Sequence, residues 1–115
     1  MRYVRLYTAD DGNAYFEDID VPLKPRDAAT ELSDIFPVKA MVMRRNSSEY
    51  ELDYHTAPRR QFIVNLTGTV EIVASGGETR QFVPGSIMLA EDTTGKGHIS
   101  KALTSERLSL FLHLE

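Results

Sequence analysis

Apolar and polar residues alternate with a period of two along most of the chain, the pattern of half-buried strands and not of helices. Near the N-terminus Tyr3, Arg5 and Tyr7 alternate with Val4 and Leu6. After Asp-Asp-Gly-Asn (10–13), Tyr15, Glu17 and Ile19 alternate with Phe16 and Asp18. An Asp-Gly pair between two such runs predicts a β-hairpin over 2–20. Residues 22–37 break the pattern with Pro22, Pro25 and Pro37. Between the prolines Asp27 is placed to N-cap a short helix carrying Leu32, Ile35 and Phe36 on one face, so a connector of one or two helical turns is expected here.

From Val38 onward the pattern predicts strands over 38–45, 50–55, 60–66, 69–75, 79–83, 86–91, 98–104 and 107–114. They are separated by Asn46-Ser47-Ser48, Thr67-Gly68, Gly76-Gly77, Pro84-Gly85 and Thr94-Gly95-Lys96-Gly97. Many short strands at close spacing imply an all-β sandwich or closed barrel, and nothing supports a βαβ alternation. The expected organisation is a single domain over 1–115, with a barrel core of about 38–114 behind the N-terminal hairpin.

Side-chain parity then assigns faces. Gln61, Ile63 and Asn65 share one face of their strand; Phe62, Val64 and Leu66 share the other. Both faces are fairly apolar, so the outer one needs a cover, and a homodimer is expected to supply it. In the last strand Ser109, Phe111 and His113 oppose Leu108, Leu110, Leu112 and Leu114. The leucine face is the expected core face, which leaves His113 at the surface or an interface.

Composition narrows the function classes. At 115 residues the chain is one domain able to bury its own core. A net charge of −4 argues against binding to nucleic acid or anionic membrane, and no apolar run is long enough to span a bilayer. The absence of cysteine excludes disulfides, thiolate metal sites and cysteine nucleophiles. With no signal-peptide pattern at its start, the sequence reads as cytoplasmic.

The stretch His55-Thr-Ala-Pro-Arg-Arg-Gln-Phe-Ile-Val-Asn-Leu-Thr-Gly68 and the later Val-Pro-Gly-Ser-Ile-Met-Leu-Ala-Glu-Asp-Thr-Thr-Gly-Lys-Gly-His98 resemble the two motifs of the small single-domain cupins. That family adopts a double-stranded β-helix, the jelly-roll or cupin barrel. Its first motif runs G-x5-H-x-H-x3-E-x6-G. Anchored on Gly68, the glutamate position holds Gln61, the second histidine position Ala57 and the first His55, while the leading glycine position holds Glu49. The second motif, a Pro-Gly turn, a strand, a glycine loop and a histidine, aligns with Pro84-Gly85 and His98 across a lengthened Glu91–Gly97 loop. The resemblance covers most of 38–114.

It implies a divalent transition metal (Fe, Mn, Ni, Zn or Cu) held by His55, Gln61 and His98. Two imidazoles and a neutral amide carbonyl are a thinner set than the three strong protein ligands of a typical catalytic zinc site. The alternative is that both histidines are strand-end residues with ordinary hydrogen bonds and Gln61 a buried amide bonded to backbone. By parity with Gln61, Arg59 faces the cavity, where a guanidinium could clamp an anionic ligand. Lys96 and Asn65 are further candidates for substrate binding, Lys96 as acid, base or amine nucleophile if desolvated, or else as a solvated loop residue. Glu91 and Asp92 are candidate oxygen ligands or partners for Lys96 and the arginines, and Glu91 is the first choice for a replacement carboxylate.

Three functions compete. The first is a metal-dependent enzyme on a small organic molecule, of the dioxygenase, isomerase or decarboxylase type. The second is a non-catalytic small-ligand-binding cupin with a degenerate or absent metal site. The third is a structural protein with an apolar barrel and a dimer face. The expected partners are a small, anionic molecule and a second copy of the chain, with no nucleic acid and no membrane.

Overall fold

The computed structural model describes all 115 residues, and every regular element in it is a strand. These are β1 (Arg2–Thr8), β2 (Ala14–Asp20), β3 (Lys24–Pro25), β4 (Glu31–Leu32), β5 (Ala40–Ser47), β6 (Glu51–His55), β7 (Gln61–Thr67), β8 (Val70–Ala74), β9 (Thr79–Phe82), β10 (Ile87–Ala90), β11 (His98–Ala102) and β12 (Glu106–His113). The alternating runs become strands to within about two residues of the expected bounds, and β1–β2 form the hairpin expected around Gly12, which sits at φ 82°.

A six-stranded sheet has the order β2-β1-β10-β7-β12-β5, mixed because β1 runs parallel to β10. A four-stranded sheet has the order β6-β11-β8-β9, and β3-β4 pair alone. The two larger sheets pack against each other through one apolar core. Leu6, Ile63 and Met88 come from the first sheet, and Val70, Ile72 and Phe82 from the second. On β8 the alternation is clean: Val70, Ile72 and Ala74 are buried and the residues between them are not.

The segment 22–37 departs from expectation: it contains no helix. Lys24 and Pro25 pair with Leu32 and Glu31 in a small hairpin, and Asp27 accepts a hydrogen bond from the Ala29 amide at 2.9 Å, closing a turn where a helix cap was expected. The stretch between the prolines is too short for a helix to stand without a tertiary face. Its apolar residues go elsewhere. Leu32 and Phe36 lie over the outer face of the six-stranded sheet, where Phe36, Tyr3 and Phe62 meet edge to face, while Ile35 is 91% exposed.

That covered outer face also reverses the expected faces of β12. Arg107 and Ser109 are buried and Phe111 lines the interior cavity, whereas Leu112 faces the outer groove with Phe62 and Val64. The leucine face is therefore the outer one. It needs no interior place because the arm formed by residues 21–38 gives it apolar company. On β7 the expected parity is observed, with Gln61, Ile63 and Asn65 inward.

Across β1, β10 and β7 the sheet is clamped by charge. Glu91, directly after β10, accepts from Arg5 Nε and from Arg60 Nε, each at 2.6 Å. Burial opposes its ionisation, but the two guanidinium groups outweigh burial and hold the carboxyl below the usual carboxylate range. Because the folded pKa is depressed, the clamp contributes fully above the unfolded value near 4.5 and is lost as pH falls through the folded one. Glu91→Gln is expected to cost on the order of 1–2 kcal/mol at pH 7. Urea unfolding of both proteins at pH 7 and pH 3 checks this: the gap between them should shrink at the lower pH.

Candidate functional site

The interior cavity, of about 110 Å³, lies between the two large sheets. His55 and His98 meet there. His55 ends β6 and His98 opens β11, and the two are cross-strand partners with ring centroids 4.3 Å apart at 56°. Their positions depend on the loop between Glu91 and His98. Gly97 has φ 75°, and a Cβ there would land on the carbonyl of His55. Only glycine lets the loop pass this close and deliver His98 opposite His55. Gly97→Ala is expected to destabilise the fold by about 2 kcal/mol or more from left-handed strain and the backbone clash. Thermal unfolding reads the loss, and histidine ring NMR signals should show the pair disturbed.

Both imidazoles are tied at Nδ1. His55 Nδ1 lies 2.9 Å from the Asp53 carbonyl, which can only accept, so the proton is on Nδ1 and the lone pair on Nε2. His98 Nδ1 lies 2.5 Å from Asp92 Oδ2. Asp92 is fully buried, and its other oxygen, Oδ1, has no partner. A carboxylate behind an imidazole orients the ring and raises the basicity of Nε2, the arrangement found behind metal-ligating histidines. Thus both rings offer Nε2 to the cavity.

Gln61 lines the same cavity at 3% exposure. Ala57 is buried in the core and adds no donor. No group of three His, Cys, Asp or Glu side chains converges anywhere in the chain. The donors that could hold a metal are therefore His55 Nε2, His98 Nε2 and the Gln61 carbonyl. The unsatisfied carboxylate behind His98 fits such an ion, and the neutral ligand set leaves its charge to be balanced by an incoming anion.

The other expected site residues fall differently. Arg59 does not face the cavity. It is exposed, with Nη1 3.1 Å from His113 Nδ1, because β7 starts at Gln61 and its alternation does not extend back to Arg59. Lys96 is exposed on the loop, its Nζ 5.0 Å above the Tyr54 ring, and does not reach the cavity. Asn65 lines the cavity, but its amide is spent on protein. Nδ2 donates to the carbonyls of Gly68 at 2.7 Å and Phe82 at 3.1 Å, and Oδ1 accepts from Arg107 Nε at 2.7 Å. Glu91 is held by Arg5 and Arg60 and is no replacement ligand.

Among the cavity residues that the sequence pattern did not mark are two cations, Arg107 and Arg44. The signal was there in Arg107-x-Ser109 paired across strands with Asn46 and Arg44, but the leucine run drew attention to the opposite face. Burial is the main cause that pushes the Arg107 pKa down; Tyr50 opposes it, and Arg44 adds to it more weakly. An arginine nevertheless keeps its charge. No protein-family model matches the chain, and no curated protein matches it at a significant level.

Proposed function

We propose that this chain is a cupin-type jelly-roll protein and a metal-dependent enzyme acting on a small organic molecule. In this reading His55, His98 and Gln61 hold a divalent transition metal. The observation that carries it is the histidine pair: two imidazoles tied at Nδ1 and side by side in the cavity between the sheets. The arrangement of strands in two facing sheets, with the motif glycines at turns, supports the barrel assignment. A bound ion there would supply Lewis acidity or redox chemistry to a ligand completing its shell. The protein's own part is to orient the two rings through the Asp53 carbonyl and Asp92 and to line the site with apolar walls.

A second reading, a non-catalytic small-ligand-binding cupin, is favoured by one observation: no carboxylate joins the two imidazoles. Elemental analysis of untagged protein separates the two. Metal near one equivalent is expected, abolished in His55→Ala and His98→Ala, with affinity lowered about 10–100-fold in Asp92→Asn. Absence of metal after incubation with Fe(II), Mn, Ni, Cu and Zn would reject the enzyme reading in favour of the second.

The protein is further proposed to be a homodimer built on the β5 edge. Met41, Val42 and Met43 are 51%, 42% and 74% exposed on that strand, which pairs only with β12. Sedimentation equilibrium should give a dimer that Met43→Lys weakens; a monomer at all concentrations would reject it.

A further inference from the structure

Eighteen residues line the cavity, and none is aspartate or glutamate, although the chain carries 17 acidic residues and a net charge of −4. Two of the eighteen are arginines, and neither forms an ion pair within the protein. Arg107 is only 5% exposed, and the one side-chain partner it has is a neutral amide, through Nε. The fork formed by its two Nη atoms is left over. Arg44, across the β12–β5 ladder, is held flat by Phe111, its guanidinium carbon 4.3 Å from the ring centroid. Between Arg107 and Phe111 on the same strand face, Ser109 has a fully buried Oγ with no partner. A buried guanidinium is costly without an anion, and nothing in the chain supplies one.

The walls state what else the ligand carries. Ten of the eighteen lining residues are hydrophobic, Ile63, Ile72, Phe82 and Met88 among them. The volume admits on the order of eight water-sized atoms. A free phosphate would leave these walls against water. A carboxylate on a short apolar body satisfies both the fork and the walls, because the planar guanidinium matches a carboxylate in two parallel hydrogen bonds.

We propose that the cavity takes a small apolar carboxylic acid, its carboxylate received by the Nη fork of Arg107 with Arg44 beside it and its body directed toward His55 and His98. This rests on the cavity being the ligand site, as proposed above, but not on the metal. It assigns to Arg107 and Arg44 the anchoring role that the sequence pattern suggested for Arg59.

The test uses full-length protein in excess EDTA. Amide-resolved NMR titrations compare 3-methylbutanoate and benzoate with 3-methylbutanamide and benzamide, and with inorganic phosphate. Each acid should bind at least about tenfold tighter than its amide, and phosphate should not displace it. Arg107→Gln should lose that preference. Arg44→Gln should reduce it about threefold or more, and carries the test if Arg107→Gln fails to fold by circular dichroism. Equal binding of acid and amide, displacement by phosphate, or a preference unaffected in the folded arginine variants would overturn the proposal. The elemental analysis separates the two readings: acid preference in a wild-type protein that takes up no metal would sink the metal site alone, and metal uptake without acid preference would sink this proposal alone. Cavity signals unmoved by acid or amide would sink this proposal and the ligand site together.

Discussion

The side-chain amide of Asn65 is a buried polar junction between the two sheets. At 1% exposure it reaches from β7 to the Gly68 turn and to the end of β9 with Nδ2, and across to β12 with Oδ1. Nδ2 donates twice and Oδ1 accepts from a guanidinium, which makes the amide costly to disturb and fixes its orientation. The Arg107 guanidinium is held by this amide, and the cavity's charge follows from that. A neutral partner positions the cation without neutralising it. A carboxylate at position 65 would have closed the site electrostatically.

The opposite end of the cavity follows a different logic. There the backbone is the constraint: Gly97 lets the loop lie against the His55 carbonyl, and β6 and β11 then set the two imidazoles side by side. Asp92 stands behind one ring and a carbonyl behind the other, and each fixes the orientation of its imidazole through Nδ1. The cavity thus has two Nε2 donors at one end, guanidinium donors at the other, and apolar walls between.

Strand positions were legible in the sequence because period-two alternation and glycine turns are local signals, and the hairpin at 2–20 and the inward set Gln61, Ile63 and Asn65 follow from them. The histidine pair was legible only through the resemblance to the two cupin motifs, which brings His55 and His98 together as an implication of that resemblance. What local pattern does not carry is which of two apolar faces turns inward. On β12 the leucines are the more hydrophobic face, yet they lie outside, because residues from the 21–38 arm cover that side and the cavity needs Arg107 and Ser109. The same arm was misjudged as partly helical. Its prolines and the Asp27 turn favour a flat hairpin, and its apolar residues are explained by the sheet beneath them.

These two departures share a cause. A sheet with one wet face obeys the rule that the apolar face is the core, whereas a sheet covered on both sides gives two apolar faces and no rule for choosing between them. Under that ambiguity the informative residue is the polar one whose neighbours along the strand are apolar. Arg107 and Ser109 among leucines, and Arg44 and Asn46 opposite them, mark the interior because a buried polar residue persists only where it has a partner or a ligand. Asn65 accounts for part of Arg107, through Nε. The Nη fork has no carboxylate partner within the protein and the Ser109 hydroxyl has no hydrogen-bond partner, and both sit beside apolar walls, which is what the proposed carboxylic-acid ligand would answer.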